Sequence, residues 1–78
     1  MFFVYAIRSD VRNYTYVGLS DDVERRVVQH NAGYERTTRP YRPFYLILVE
    51  AYPTRVEVRK REKYLKSGVG KEYLRSLK

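Results

Sequence analysis

Tyr5 and Tyr16 lie in two short apolar runs, Val4-Tyr5-Ala6 and Tyr16-Val17-Gly18. Arg26 and His30 follow four residues apart in Glu24-Arg25-Arg26-Val27-Val28-Gln29-His30. Two phenols, a guanidinium and an imidazole from three neighbouring elements can all touch a phosphodiester. Together they can accept a proton, neutralise developing negative charge and hydrogen-bond an oxygen. The set lacks a carboxylate, and Glu62 supplies one from a distant part of the chain. Val58, Glu62 and Leu65 fall at i, i+4 and i+7 of a helical stretch, the stripe that should face a sheet. Arg55, Arg59, Lys60, Lys63 and Lys66 take its solvent side. A glutamate on the packing stripe is partly desolvated, which costs free energy unless a cation or hydrogen bonds meet it. Two readings account for Glu62: an ion pair with an arginine such as Arg26 or Arg61, or a hard oxygen ligand for Mg²⁺.

The elements that must position these groups are legible in order. Phe2 to Ile7 is a continuous apolar run, read as a strand buried on both faces. A polar turn over 8–13 leads to Tyr14–Gly18, an alternating second strand, so the pair forms a β-hairpin. A helix follows, capped by Ser20 or Asp21, with Val23, Val27 and His30 on one face and Arg26 beside them. Gly33 is its left-handed C-cap. Residues 34–43 hold Pro40 and Pro43 and are read as irregular. Phe44–Glu50, the most apolar run of the chain, predicts a third, well-buried strand, with Pro53 marking its end. Thr54 with Glu57 is a capping box for a helix to about Lys66 that Gly68 stops. A last helix spans 70–78, with Tyr73, Leu74 and Leu77 on its packing side. The order β-β-α-β-α-α predicts an α+β domain with a small antiparallel sheet, one domain over residues 1–78.

Bulk properties narrow the function classes. With no cysteine and a single histidine in 78 residues, disulfides, thiolate metal sites and His-rich zinc sites are excluded. No apolar run approaches the roughly 18 residues needed to cross a bilayer, and the N-terminal run lacks a basic leader, so a cytoplasmic location is expected. Sixteen Lys+Arg against nine Asp+Glu leaves a formal charge of +7, which favours a polyanionic partner, nucleic acid first.

In joint order and spacing these residues resemble the GIY-YIG endonuclease superfamily over nearly the whole chain, above all its small stand-alone bacterial members. Phe3-Val4-Tyr5 stands for the first motif, with Phe3 in place of its glycine, and Tyr16-Val17-Gly18 for the second. Glu24-Arg25-Arg26 with His30, and Arg61-Glu62-Lys63 in the later helix, complete the match. The resemblance implies a three-stranded antiparallel sheet flanked by helices, and hydrolysis of DNA phosphodiesters with one divalent cation, Mg²⁺ or Mn²⁺. It implies that Tyr5 and Tyr16 point at the scissile phosphate, with Tyr5 the preferred proton acceptor. Arg26 would neutralise the phosphorane, His30 would hydrogen-bond near the nucleophile, and Glu62 would hold the metal.

Around that centre, Arg25 and Lys63 add positive charge. Arg36, Arg39 and Arg42, interleaved with Tyr34 and Tyr41, form a basic-aromatic loop able to contact phosphates and stack on unpaired bases. Lys60, Lys66, Lys71 and Lys78 contribute diffuse charge. Each group also has a plain structural reading: the tyrosines as strand aromatics, Arg26 as a solvated helix residue, His30 as a helix C-terminal cation, the loop as a soluble connection. The function that follows is a metal-dependent DNA endonuclease acting on branched, flapped or damaged DNA. The alternatives are a nucleic-acid-binding module with little catalysis, or a partner-recruiting domain of the same fold. In a chain this small, a protein partner would supply any sequence specificity.

Overall fold

The N-terminal apolar run becomes β1 (Phe2–Ser9), the middle strand of an antiparallel sheet ordered β2-β1-β3, with β2 spanning Thr15–Ser20 and β3 Phe44–Tyr52. Two neighbours and two covered faces explain its composition: Val4, Tyr5, Ala6 and Ile7 are all fully buried. The computed structural model describes residues 1–77, so Lys78 lies outside the described residues. Helix α1 (Val23–Ala32) follows the hairpin, and α2 (Arg55–Lys66) and α3 (Gly68–Arg75) follow β3, giving the expected β-β-α-β-α-α order.

Strand alternation divides the core in two. Val4, Ala6 and Val17 pack with Val58, Leu65 and Leu74 under α2 and α3. Tyr5 and Ile7 pack with Phe44, Tyr14, Tyr16, Val23 and Val27 under α1. Asn31, at the end of α1, ties this second layer to β3 through both ends of its amide: Nδ2 donates to the Phe44 carbonyl at 3.2 Å, and Oδ1 accepts from the Phe44 amide at 2.6 Å.

Several local expectations are corrected. The cap of α1 is Asp22, whose Oδ1 accepts from the Arg25 amide at 3.1 Å, while Ser20 Oγ accepts from the Asp22 amide one step earlier. Gly33 does cap the other end, at φ 83°. The third strand is not well buried. It is an edge, bulged at Ile47 opposite Ala6/Ile7, and Leu46 and Val49 on the Tyr5 face are 44% and 48% exposed. Helix α1 reaches Phe44 but leaves these two uncovered. The stretch over 34–43 contains one short 3₁₀ turn, Arg39–Tyr41.

Gly68 does not end α2; it opens α3. Ser67 serves both helices, ending α2 and accepting from the Gly70 amide at 3.2 Å as the N-cap of α3. This two-way cap allows a sharp corner with no linker. The corner brings Gly70 against the Tyr64 carbonyl and the Leu65 backbone, where a Cβ would collide. Tyr73 lies outside the core, its ring 5.5 Å from the Arg61 guanidinium, whereas Leu74 is buried.

The two glycines of α3 should therefore respond with opposite sign. Gly70→Ala is expected to lose about 1–3 kcal/mol by overpacking. Gly68→Ala, where nothing lies within 4 Å of the added carbon, is expected to be neutral or to gain up to about 1 kcal/mol. Thermal unfolding monitored by circular dichroism reads both changes, at roughly 4–8 °C per kcal/mol for a domain of this size.

Candidate active site

Tyr5 and Tyr16 stand on adjacent strands and on the same face of the sheet, with ring centroids 6.3 Å apart. The reason is register. Tyr5 pairs with Gly18, and Tyr16 with Ile7, so both phenols emerge toward α1. Gly18 is the space into which Tyr5 fits: a Cβ there would stand 2.7 Å from the Tyr5 hydroxyl and 2.9 Å from the Tyr16 ring. The glycine of the second motif is thus required by the tyrosine of the first.

His30 comes down from α1 between them, its ring centroid 4.7 Å from that of Tyr16 and 6.1 Å from that of Tyr5. It is wholly buried, so the helix-terminal reading of this residue as an exposed cation does not hold. Both its nitrogens are bonded: Nε2 to the Tyr5 hydroxyl at 3.0 Å, and Nδ1 to Thr38 Oγ1 at 3.0 Å. Thr38 has a single hydroxyl proton, directed to the Glu35 carbonyl at 3.4 Å. With the Thr38 proton so directed, Nδ1 donates to Thr38 and Nε2 accepts from Tyr5. That tautomer satisfies every polar atom of the chain Tyr5–His30–Thr38, all of it inaccessible to solvent. Burial, reinforced by the Arg26 guanidinium, lowers the His30 pKa, and Glu35 opposes the change only in part. Burial also raises the Tyr5 phenol above its ordinary value, with Arg26 working in the opposite direction.

Arg26 is part-buried beside this chain. Its guanidinium donates to Gln29 Oε1 at 2.7 Å and to Glu35 Oε1 at 3.1 Å. A planar cation fixed from two sides, next to the Tyr5 phenol, is suited to an anion. Sequence reasoning missed Gln29, Glu35 and Thr38. Glu35 offered a faint signal, as the one acid among residues 34–43. Thr38 offered none, since its partner is eight residues away across a loop.

Glu62 is not joined to this cluster: no hydrogen bond or ion pair links it to Tyr5, Tyr16, Arg26 or His30. It sits on α2, which packs on the Val4 and Ala6 side of the sheet, opposite the two phenols. The stripe itself forms as expected, with Val58 and Leu65 buried and the Glu62 side chain 23% exposed between them. Neither expected arginine meets it. Arg26 takes Glu35, and Arg61 makes a two-pronged bond to Glu50 at 2.8 and 3.1 Å. Burial works to raise the Glu50 carboxyl, but the bonds from Arg61 and Tyr52 outweigh it and hold Glu50 below the usual carboxylate range. Glu62 instead accepts from Lys66 Nζ at 3.0 Å, one turn on. No group of three or more His, Asp or Glu able to cage a metal occurs among the described residues. A single carboxylate still fits a hard cation that keeps most of its waters and takes further oxygens from a phosphate.

The basic-aromatic loop is partly used up by the fold. Tyr41 stacks on Tyr14 with ring centroids 4.0 Å apart. Arg39 Nε donates to the Gly33 carbonyl at 2.8 Å, and the Arg42 guanidinium covers Gly33. Arg36 and Lys63 are exposed, and Arg25 forms an exposed pair with Asp21 at 3.3 Å.

The buried imidazole carries a pH signature. Because folding lowers the His30 pKa, the unfolded chain takes up the proton first as pH falls below about 6.5. Stability is then full above that value and declines below it. The wild-type melting temperature is expected to drop between about pH 7.5 and pH 5.5, and the drop should be missing from His30→Gln, since His30 is the sole histidine. A flat wild-type profile across that range would contradict a neutral buried ring.

The sequence model of the GIY-YIG catalytic domain matches residues 1–74. UPF0213 proteins of Staphylococcus aureus, among them those of strains Mu3, N315 and MW2, are 38% identical over 78 residues, an alignment covering 97% of this chain and 93% of theirs. No solved structure matches the chain. No helix among the described residues is long and apolar enough to cross a membrane. With the paired phenols, the arginine and the histidine all lying inside the matched span, the chain belongs to the GIY-YIG catalytic domain family.

Proposed function

We propose that this chain acts as a single nuclease domain, a DNA endonuclease that uses a divalent cation, Mg²⁺ or Mn²⁺, and works in the cytoplasm on branched or damaged DNA during repair or recombination. The observation that carries the reading is the cluster of Tyr16, His30, Tyr5 and Arg26 on one face of the sheet, in a chain of charge +7 belonging to a family of nucleases.

In this reading Arg26 neutralises the charge that builds on the phosphate oxygens. A pre-positioned cation there stabilises the transition state more than the ground state. Glu35, whose side chain is 42% exposed against 23% for Arg26, holds the guanidinium in place and yields to the phosphate when substrate binds. The proton acceptor is Tyr16 rather than Tyr5. Tyr5 is fully buried with its hydroxyl bonded to His30, whereas Tyr16 is only part-buried against the same ring. Tyr5 and His30 then act as positioning residues that set the height and tilt of Tyr16. Glu62 would hold the cation, which when bound supplies Lewis-acid stabilisation of the phosphate. Arg25, Arg36 and Lys63 would contact backbone phosphates. Arg39, Arg42 and Tyr41 serve such contacts less directly, because each is already engaged within the fold.

A DNA-binding module of the same fold, with little catalysis, is the competing reading. The Glu62–Lys66 pair favours it, since an ammonium already occupies one carboxylate oxygen.

Nicking of supercoiled plasmid separates the two. The wild type is expected to nick in Mg²⁺ or Mn²⁺ and not in EDTA. Arg26→Ala should lose about 10²–10³-fold in rate, the scale for removing one preorganised charge-stabilising donor. Glu62→Ala and Tyr16→Phe should lose activity on a comparable scale. Tyr5→Phe is expected to keep more activity than Tyr16→Phe while lowering the melting temperature, because it leaves His30 Nε2 buried without its donor. Absence of nicking with every cation, or nicking that survives Arg26→Ala unchanged, would defeat the enzyme reading.

A further inference from the structure

Beside Tyr16, along the free edge of β2, a groove of about 630 Å³ opens between the sheet and the junction of α2 with α3. Its lining includes Arg8, Tyr14, Tyr16, Lys66, Lys71 and Arg75, and no acidic residue among the described residues. The cations come from three elements. Lys66 ends α2, Lys71 and Arg75 are one turn apart on α3, and Arg8 reaches across from β1. Arg8 is fixed: its guanidinium donates to the Leu77 carbonyl at 2.7 Å and to the Leu74 carbonyl, closing the end of α3 and offsetting its negative pole. Lys71 and Arg75 are exposed and enter no ion pair among the described residues. Only Lys66 has an acidic partner, and that partner is Glu62. The groove thus begins at one candidate catalytic group, Tyr16, and every charged side chain in its lining is a cation. Glu72, between Lys71 and Arg75 on α3, lies outside the lining and pairs with neither of them, so these cations repel one another, an arrangement that an anion relieves.

A duplex keeps its bases stacked inside a rigid cylinder and has no free base to offer Tyr14 or Tyr16. An unpaired strand can lay phosphates along the cations and a base against a ring. We propose that this groove binds single-stranded DNA leading away from the reacting phosphate, so that the preferred substrate is a duplex bearing an unpaired tail. The proposal rests on the nuclease reading for the position of that phosphate, and the groove itself is testable without cleavage.

The test is fluorescence anisotropy in EDTA, with a labelled blunt hairpin duplex and the same duplex carrying a twelve-thymidine tail. The wild type should bind the tailed DNA the more tightly. Lys71→Glu/Arg75→Glu should weaken tailed binding at least about 10-fold and reduce the slope of log K against log salt by about 1.4, the value for two lost single-strand contacts. Blunt-duplex binding should change by less than about 3-fold, the margin expected from altered net charge alone. Lys71→Gln/Arg75→Gln gives the same direction if the charge reversal does not fold. Arg59→Glu/Lys60→Glu, an equal charge change on exposed α2 positions outside the groove lining, should leave the tail preference intact. Equal binding of the two DNAs, no binding of either, or equal weakening by both glutamate doubles would overturn the proposal. Plasmid nicking without tail preference would sink the groove alone, and tail preference without nicking would sink the nuclease reading alone.

Discussion

The structure depends on a buried hydrogen-bonded chain, Tyr5 to His30 to Thr38, that joins the central strand to α1 and to the loop after it. An unpaired polar group in such a place would cost roughly 1–3 kcal/mol, so the three residues must meet together or not at all. Meeting fixes the height of α1 over the sheet, which in turn places Arg26 and sets the ring of Tyr16 against the imidazole. Of this set, the members with access to solvent are the ones suited to chemistry, while the wholly buried members hold them in place. Most of the polar residues in this small domain are architecture, and that architecture aims a few exposed groups.

The same constraint explains the small residue in the second motif. Tyr5 can lie flat across β2 only because Gly18 presents no side chain. Tyrosine on one strand and glycine opposite it on the next form one packing unit, joined by the end of β1, the loop over 10–14 and the start of β2. Ser9, at the end of β1, orders that loop by accepting from the Val11 and Arg12 amides at 3.2 and 3.0 Å.

Charge is distributed with a comparable division of labour. The acids inside the fold are matched individually: Glu35 with Arg26, Glu50 with Arg61, Glu62 with Lys66. Each pair is part-exposed and adds little to stability by itself, but each orients a guanidinium or carboxylate that would otherwise be mobile. The surplus of positive charge lies elsewhere, as at Lys71 and Arg75 of α3, which enter no ion pair among the described residues. The sheet separates the two populations, with the phenol and arginine cluster on one face and Glu62 on the other. A ligand engaging both has to pass around an edge of the sheet.

The sequence by itself determined the element order, the αL cap at Gly33 and the packing stripe of α2. All of these follow from local periodicity and short-range sterics, which need no knowledge of distant partners. Tertiary structure decided the rest. Partner choice for Glu62, Arg26 and Arg61 depends on which helices and loops come to lie side by side, so the two arginines expected to meet Glu62 took Glu35 and Glu50, and Glu62 took Lys66. His30 read equally well as a helix-end cation until Thr38, from an irregular loop, supplied the second bond that makes it a neutral core residue. The apolar run of β3 implied a well-buried strand, but its place at the sheet edge, short of the reach of α1, left Leu46 and Val49 in solvent. Hydrophobic pattern states what a segment can cover; which neighbour arrives to cover it is a property of the assembled fold.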